Sequence, residues 1–205
     1  MSRAQIKTIF WDFDGVLMNS NAIRDRGFLE VLKNYPKVEV NQLMSFHRIN
    51  GGLSRYVKFR YFFEEIRGEK ISDAEIQGWA NKFSEIMLSL LVNKDLLIPE
   101  TNRFVANNFQ NYNMHIVSGS DGKELNKICF GVGISKYFNS IQGSPTPKNI
   151  LVKDIINKEK YNKDECVLIG DSINDYEAAN SNNIYFLGYN NELIEQKSNV
   201  NLHFS

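Results

Sequence analysis

Asp12 and Asp14 stand two positions apart where an apolar run, Ile9-Phe10-Trp11, stops, and Gly15 follows at once. Two carboxylates on one face of a strand end are costly to bury unless a cation sits between them. The pattern recurs near the C-terminus, where Val167-Leu168-Ile169-Gly170 leads into Asp171 and Asp175. Together the two clusters predict a divalent-metal site at the ends of parallel strands. Between them lie Ser118, a hydroxyl after an apolar stretch, and Lys148 after Pro147. Carboxylates, a hydroxyl and an ammonium gathered at one edge could hold a cation and an anion side by side.

The elements that must position these groups follow from periodicity. Short apolar runs rich in β-branched and aromatic residues predict strands over 6–11, 114–117, 140–143, 166–169 and 184–187. Helical spacing predicts helices over 100–109, 122–130, 148–157 and 175–180 between them. Alternating strands and helices imply an α/β fold with a parallel sheet and right-handed crossovers. In such a sheet ligands bind beyond the carboxyl ends of the strands, and each polar group named above falls at such an end. From Ser20 to about Leu91 no strand interrupts a helical pattern. Ser20 or Asn21 can cap its first helix, and Ser72-Asp73-Ala74-Glu75 has capping-box spacing. Tyr56, Phe59 and Phe63 form an apolar stripe of that block's own core.

Bulk properties exclude several function classes. Lys plus Arg and Asp plus Glu number 24 each, so no global field draws the chain to nucleic acid. No apolar run approaches the roughly 20 residues that cross a bilayer, and residues 1–7 lack the apolar core of a secretory leader. Cys129 and Cys166 have no metal-type or redox-type spacing and read as buried reduced thiols. A cytoplasmic protein of undetermined oligomeric state is expected.

On the motifs Asp12-Phe13-Asp14-Gly15-Val16, Ser118-Gly119-Ser120, Lys148 and Gly170-Asp171-Ser172-Ile173-Asn174-Asp175, in that order, the chain resembles the phosphatase branch of the haloacid dehalogenase superfamily. The resemblance spans nearly the whole chain. The helical insertion after the first motif is similar to the cap of the phosphoglycolate-phosphatase-like group. It implies a Rossmann-like core of residues 1–17 and 97–205, with a helical cap over 18–96. It also implies a Mg2+-dependent phosphatase for a small phosphorylated metabolite, of sugar-phosphate or phosphoglycolate type. In that scheme Asp12 is the nucleophile and Asp14 the general acid and base. Ser118, with the Gly119 amide, binds the phosphoryl group, and Lys148 neutralises it. Asp12, the Asp14 carbonyl and Asp171 ligate the metal, with Asp175 behind them acting through a bound water or by orienting Lys148. Two departures stand out: Lys148 follows a proline that many relatives place after the lysine, and Asn19 stands where relatives often have Asp.

The leaving group must be read by the helical insertion. Residues 46–55 form its polar, glycine-containing loop, and Arg48 is the candidate for contacting substrate. Two alternatives share the motifs: a phosphomutase of the β-phosphoglucomutase kind, and a phospho-Asp signalling module.

Overall fold

The computed structural model describes residues 5–204. The first four residues, part of the 1–7 stretch expected above to lack an apolar core, and Ser205 lie outside them. Five parallel strands form one sheet in the order β3-β2-β1-β4-β5. They are β1 (Thr8–Trp11), β2 (Asn113–Asp121), β3 (Ser140–Ser144), β4 (Cys166–Gly170) and β5 (Tyr185–Gly188). β1 and β4 are buried along their whole length, which is why they read as continuous apolar runs. One face of the sheet turns Phe10, Val117, Leu168 and Phe186 toward α7 (Lys148–Glu159) and α8 (Ile173–Asn182). The other turns Ile9, Trp11, Ile116 and Ile169 toward α5 (Pro99–Asn108) and α6 (Gly122–Gly131). A one-turn α9 (Glu192–Glu195) follows β5. The expected Rossmann-like α/β core is therefore present. Strand order reverses at β1, so the crevice that favours ligands opens beyond the ends of β1, β2 and β4.

Between β1 and β2 run α1 (Asn21–Val31), α2 (Lys37–Ile49), α3 (Arg55–Tyr61, continued by a π-helical turn Phe62–Ile66) and α4 (Asp73–Leu91). Ser72 and Glu75 make the expected capping box. Phe59, Phe62, Phe83 and Met87 are almost fully buried here, and Phe28 packs at a tilt on Phe83 with ring centroids 4.5 Å apart. α1 and α4 cross so closely that a Cβ at Gly27 would stand 2.4 Å from Met87 Cε. Among the described residues no helix is long and apolar enough to cross a membrane.

Three local expectations change. β2 does not end at Val117: it continues through an irregularity to Asp121, so Ser118 and Ser120 lie within the strand. Phe46, His47 and Arg48 belong to the last turns of α2, because Asn50 and the two following glycines, rather than the polar residues before them, interrupt the helix; the loop is confined to 50–54. Ser20 precedes α1 but makes no capping bond. Its hydroxyl is taken by Asp14 and by the Met18 carbonyl instead. The block's aromatic core generates a direct test. Phe59→Ala should cost about 3–5 kcal/mol in urea denaturation, and a loss below about 1 kcal/mol would show that the cluster is loosely packed.

Candidate active site

The chain leaves β1 through a sharp turn. Gly15 adopts φ +79°, and a Cβ there would lie 2.0 Å from Asp171 Oδ2, so only glycine lets the first and last acidic clusters meet. The Asp12 amide still donates to the Ile169 carbonyl at 2.9 Å, carrying the ladder with β4 one residue past the strand. Asp12, Asp171 and Asp175 each offer an oxygen within 4.8 Å of the others. Lys148, the first residue of α7, reaches between them: its Nζ donates to Asp12 Oδ1 at 2.7 Å and to Asp175 Oδ1.

Asp175 is held from behind as well. The Ser172 amide donates to its Oδ2 at 3.1 Å and the Ser172 hydroxyl at 2.5 Å, in the capping box that starts α8. Gly170 permits this, since a Cβ there would stand 2.2 Å from Asp175 Cβ. Asp12 Oδ1 faces Lys148 and Asp171 Oδ2 takes a bond of 3.0 Å from Asn21 Nδ2; among the described residues their other oxygens accept none. Burial, then the Asp175 charge, pushes the Asp12 carboxyl well above its ordinary range and Asp171 up to about 7. Burial lowers the Lys148 ammonium, but Asp12 and Asp175 more than reverse this. Three carboxylates facing one ammonium make a hard-oxygen donor set with unmatched negative charge, which fits Mg2+.

Asp14 turns the other way. Its Oδ1 accepts from Arg24 Nε at 3.0 Å and from the Ser20 hydroxyl, and its Oδ2 from the Ser120 hydroxyl at 2.5 Å. Burial opposes ionisation, yet the Arg24 guanidinium and these bonds hold the carboxyl below its usual range. Arg24 also pairs with Glu124 at the start of α6. Glu124 in turn receives Arg55 through two bonds of 2.5 and 2.9 Å. Ser118 is buried beside this group and its Oγ accepts from the Ser120 amide at 3.1 Å. Gly119 abuts the 50–54 loop: a Cβ there would lie 2.2 Å from the Gly52 carbonyl oxygen.

Many of these groups line one cavity of about 740 Å³. It brings together Asp12, Asp14, Ser118, Gly119, Asp171 and Arg48; Lys148 and Asp175 stand behind Asp12. The Arg48 side chain is 66% exposed and its Nε donates to Asp25 Oδ2 at 3.2 Å. No site role is read from the sequence for Arg24, Lys58 or Glu124; Ser20 is read only as a helix cap and Ser120 only as the last residue of the second motif. Arg24 and Lys58 carry a signal nonetheless, as cations beside buried aromatics on the inward stripe of their helices: Arg24 lies one turn before Phe28, and Lys58 immediately before Phe59.

The sequence signature of haloacid dehalogenase-like hydrolases matches residues 9–189. The chain belongs to that family. No curated protein matches it in sequence. Among solved structures it is similar to a predicted phosphoglycolate phosphatase from Haemophilus somnus, with TM-score 0.69, 22% identity and coverage of 90% of this chain and 85% of that one. It is also similar to CbbY from Rhodobacter sphaeroides bound to xylulose-1,5-bisphosphate, with TM-score 0.73, 15% identity and coverage of 97% and 95%. A β-phosphoglucomutase from Clostridium difficile gives TM-score 0.73, 19% identity and coverage of 95% and 89%. At these identities the likeness is one of fold.

The Arg24 network can be tested without any substrate. Arg24→Met leaves Asp14 and Glu124 short of a buried counter-charge, and breaking such a pair costs about 3–5 kcal/mol. Urea denaturation should show that loss, with Arg24→Lys intermediate because a single ammonium cannot span both carboxylates. A change under about 1 kcal/mol for Arg24→Met would refute a structural role for the network.

Proposed function

We propose that this hydrolase is a Mg2+-dependent phosphatase acting on a small phosphomonoester. The observation that carries the reading is the division of labour between Asp12 and Asp14. Asp12 sits among carboxylates with one oxygen unclaimed, while Asp14, two residues on, faces the cavity from a separate cradle of donors. Asp12 attacks phosphorus and forms an aspartyl phosphate, with Lys148 balancing the charge. Asp12, the Asp14 carbonyl and Asp171 would hold Mg2+, which screens the nucleophile from the phosphoryl group and offsets charge on its oxygens. Ser118 and the Gly119 amide bind the phosphoryl oxygens. Asp175 orients Lys148.

Asp14 protonates the leaving oxygen and then takes a proton from the hydrolytic water. The cradle of Arg24, Ser20 and Ser120 favours its ionised form, the one needed for the second half. The first half requires substrate to loosen that cradle. Residues 18–96 act as the cap over the core of 1–17 and 97–205, and closing it excludes water from the reacting centre. The reduced, buried Cys129 and Cys166 agree with a cytoplasmic setting.

The fold shared with a β-phosphoglucomutase keeps a phosphomutase as a second reading. Release of inorganic phosphate without isomerised sugar phosphate separates the two. A phospho-Asp signalling module fits poorly, because the acid at Asp14 and the helical block over it serve turnover. Asp12→Asn should abolish phosphate release, since an amide does not attack phosphorus; activity within about tenfold of wild type would remove Asp12 as nucleophile. Asp14→Asn should lose about 100- to 10,000-fold, more on alkyl than on aryl phosphates. Chelator should stop the reaction and Mg2+ restore it, and full activity without divalent ion would overturn the proposed site.

A further inference from the structure

The inner wall of the helical block carries more positive charge than the groups around it neutralise. Arg24 and Arg55 are matched by Asp14 and Glu124, and Arg48 by Asp25. His47 also faces Asp25, at 3.0 Å, and burial and then nearby Lys58 push its pKa down to about 3, so it stays neutral. Lys58 remains. It lines the cavity, is 3% exposed, and has no carboxylate within ion-pair distance among the described residues. Its Nζ donates to the Gly51 carbonyl at 3.0 Å, which leaves two of an ammonium's three donors unused. Burial lowers its pKa to about 7 against the pull of Asp14, so a bound anion would favour its charged form.

Two further cavity-lining residues carry incomplete groups. Arg24 Nη2 and His47 Nδ1 are buried without a hydrogen-bond partner. His47 Nε2 faces a carboxylate and so bears the proton, which makes Nδ1 an acceptor. The wall therefore offers one free cation, one acceptor and one further donor.

We propose that Lys58 is the specificity-determining residue of this site and that it binds a carboxylate on the leaving group, the substrate being a phosphorylated polyhydroxy acid. The inference rests on the phosphomonoester reading above. A single unmatched cation suits a single negative charge, whereas a second phosphoryl dianion calls for more than one. Hydroxyls of the acid answer His47 Nδ1 and Arg24 Nη2. A cavity of about 740 Å³ lies within the range that holds ligands of drug size, so a two-carbon acid would leave most of it to water.

The test compares two open-chain hexose derivatives phosphorylated on the terminal carbon: phosphogluconate, which ends in a carboxylate, and phosphoglucitol, which ends in a hydroxymethyl group. Glucitol bisphosphate supplies the second-phosphate alternative. With Mg2+, wild type should favour phosphogluconate over phosphoglucitol in kcat/KM by about tenfold or more, through KM, as a charge-assisted bond allows. Lys58→Gln keeps a donor for the Gly51 carbonyl but loses the charge, and it should bring that ratio close to one. Equal rates on both compounds in wild type, a ratio that survives Lys58→Gln, or an equal loss on both compounds would each overturn the proposal. The last would mean that Lys58 only supports the 50–54 loop. Preference for the bisphosphate over phosphogluconate would overturn the carboxylate.

Calorimetry on Asp12→Asn with Mg2+ separates this inference from the reaction it rests on. Tighter binding of phosphogluconate than phosphoglucitol, with no turnover of either by wild type, would sink the phosphatase and keep the carboxylate subsite. Equal binding would sink the subsite.

Discussion

Asp12, Asp171 and Asp175 converge in a buried crevice around a single ammonium, Lys148, and much of the local backbone exists to make that convergence possible. Isolated, each carboxylate would protonate or move to water. Three features hold them: a left-handed glycine after β1, a glycine ending β4, and a capping box that pulls Asp175 onto the Ser172 amide. The three are not equivalent. Both oxygens of Asp175 are taken by Lys148 and Ser172, whereas Asp12 and Asp171 each keep one oxygen without a donor. The cluster is thus an anchored base with two open positions, the form a cation site takes when its supporting shell is already satisfied.

A second buried network joins the helical block to the core. Asp14 from the β1 turn, Arg24 from α1, Glu124 from α6 and Arg55 from α3 form a chain of alternating charge, and Arg55 also donates to Ser84 Oγ in α4 at 2.7 Å. Arg55 lies over the Phe83 ring at 4.5 Å, so polar and aromatic packing meet on one residue. Ion pairs of this kind add less net stability than their contacts suggest, because desolvation offsets most of the attraction. What they fix is geometry. Losing any member strands a charge, so the block has few other ways to sit against β2 and α6.

The core was legible because each of its elements obeys a local rule. β1 and β4 are apolar runs of strand length, the intervening helices have their own periodicity, and each acidic motif follows a strand directly. The carboxyl-edge site follows from that alone. Where the reading failed, tertiary structure overrode a local signal. Ser118 and Gly119 look like the start of a loop, yet they stay in β2 because the strand continues through its irregularity beside β3. Ser20 has cap chemistry, but Asp14 takes its hydroxyl. Arg24, Lys58 and Glu124 were hidden for a different reason. A charged residue in an amphipathic helix is ordinarily solvated, and only the packing of α1, α3 and α6 around one point shows that these three are not.

The strand-end cluster and the inner wall of the block differ in sign, and on the proposed reading the difference separates chemistry from recognition. The strand-end cluster has excess negative charge, which a divalent cation would offset. The wall's excess positive charge is Lys58, outside the balanced chain of Asp14, Arg24, Glu124 and Arg55, and on the proposed reading an anionic leaving group would offset it. Asp14 stands at their junction. Its backbone belongs to the turn after β1, beside the acidic cluster, while its side chain is held by the block through Arg24. Anything that draws Arg24 toward the cavity therefore weakens the bonds that keep Asp14 ionised, and the carboxyl is then more readily protonated. On the phosphatase reading, seating the leaving group and arming the acid are one event. On that reading the block need not signal to the core by any longer path, because Arg24, which lines the cavity, and Asp14, which would deliver the proton, already share a hydrogen bond.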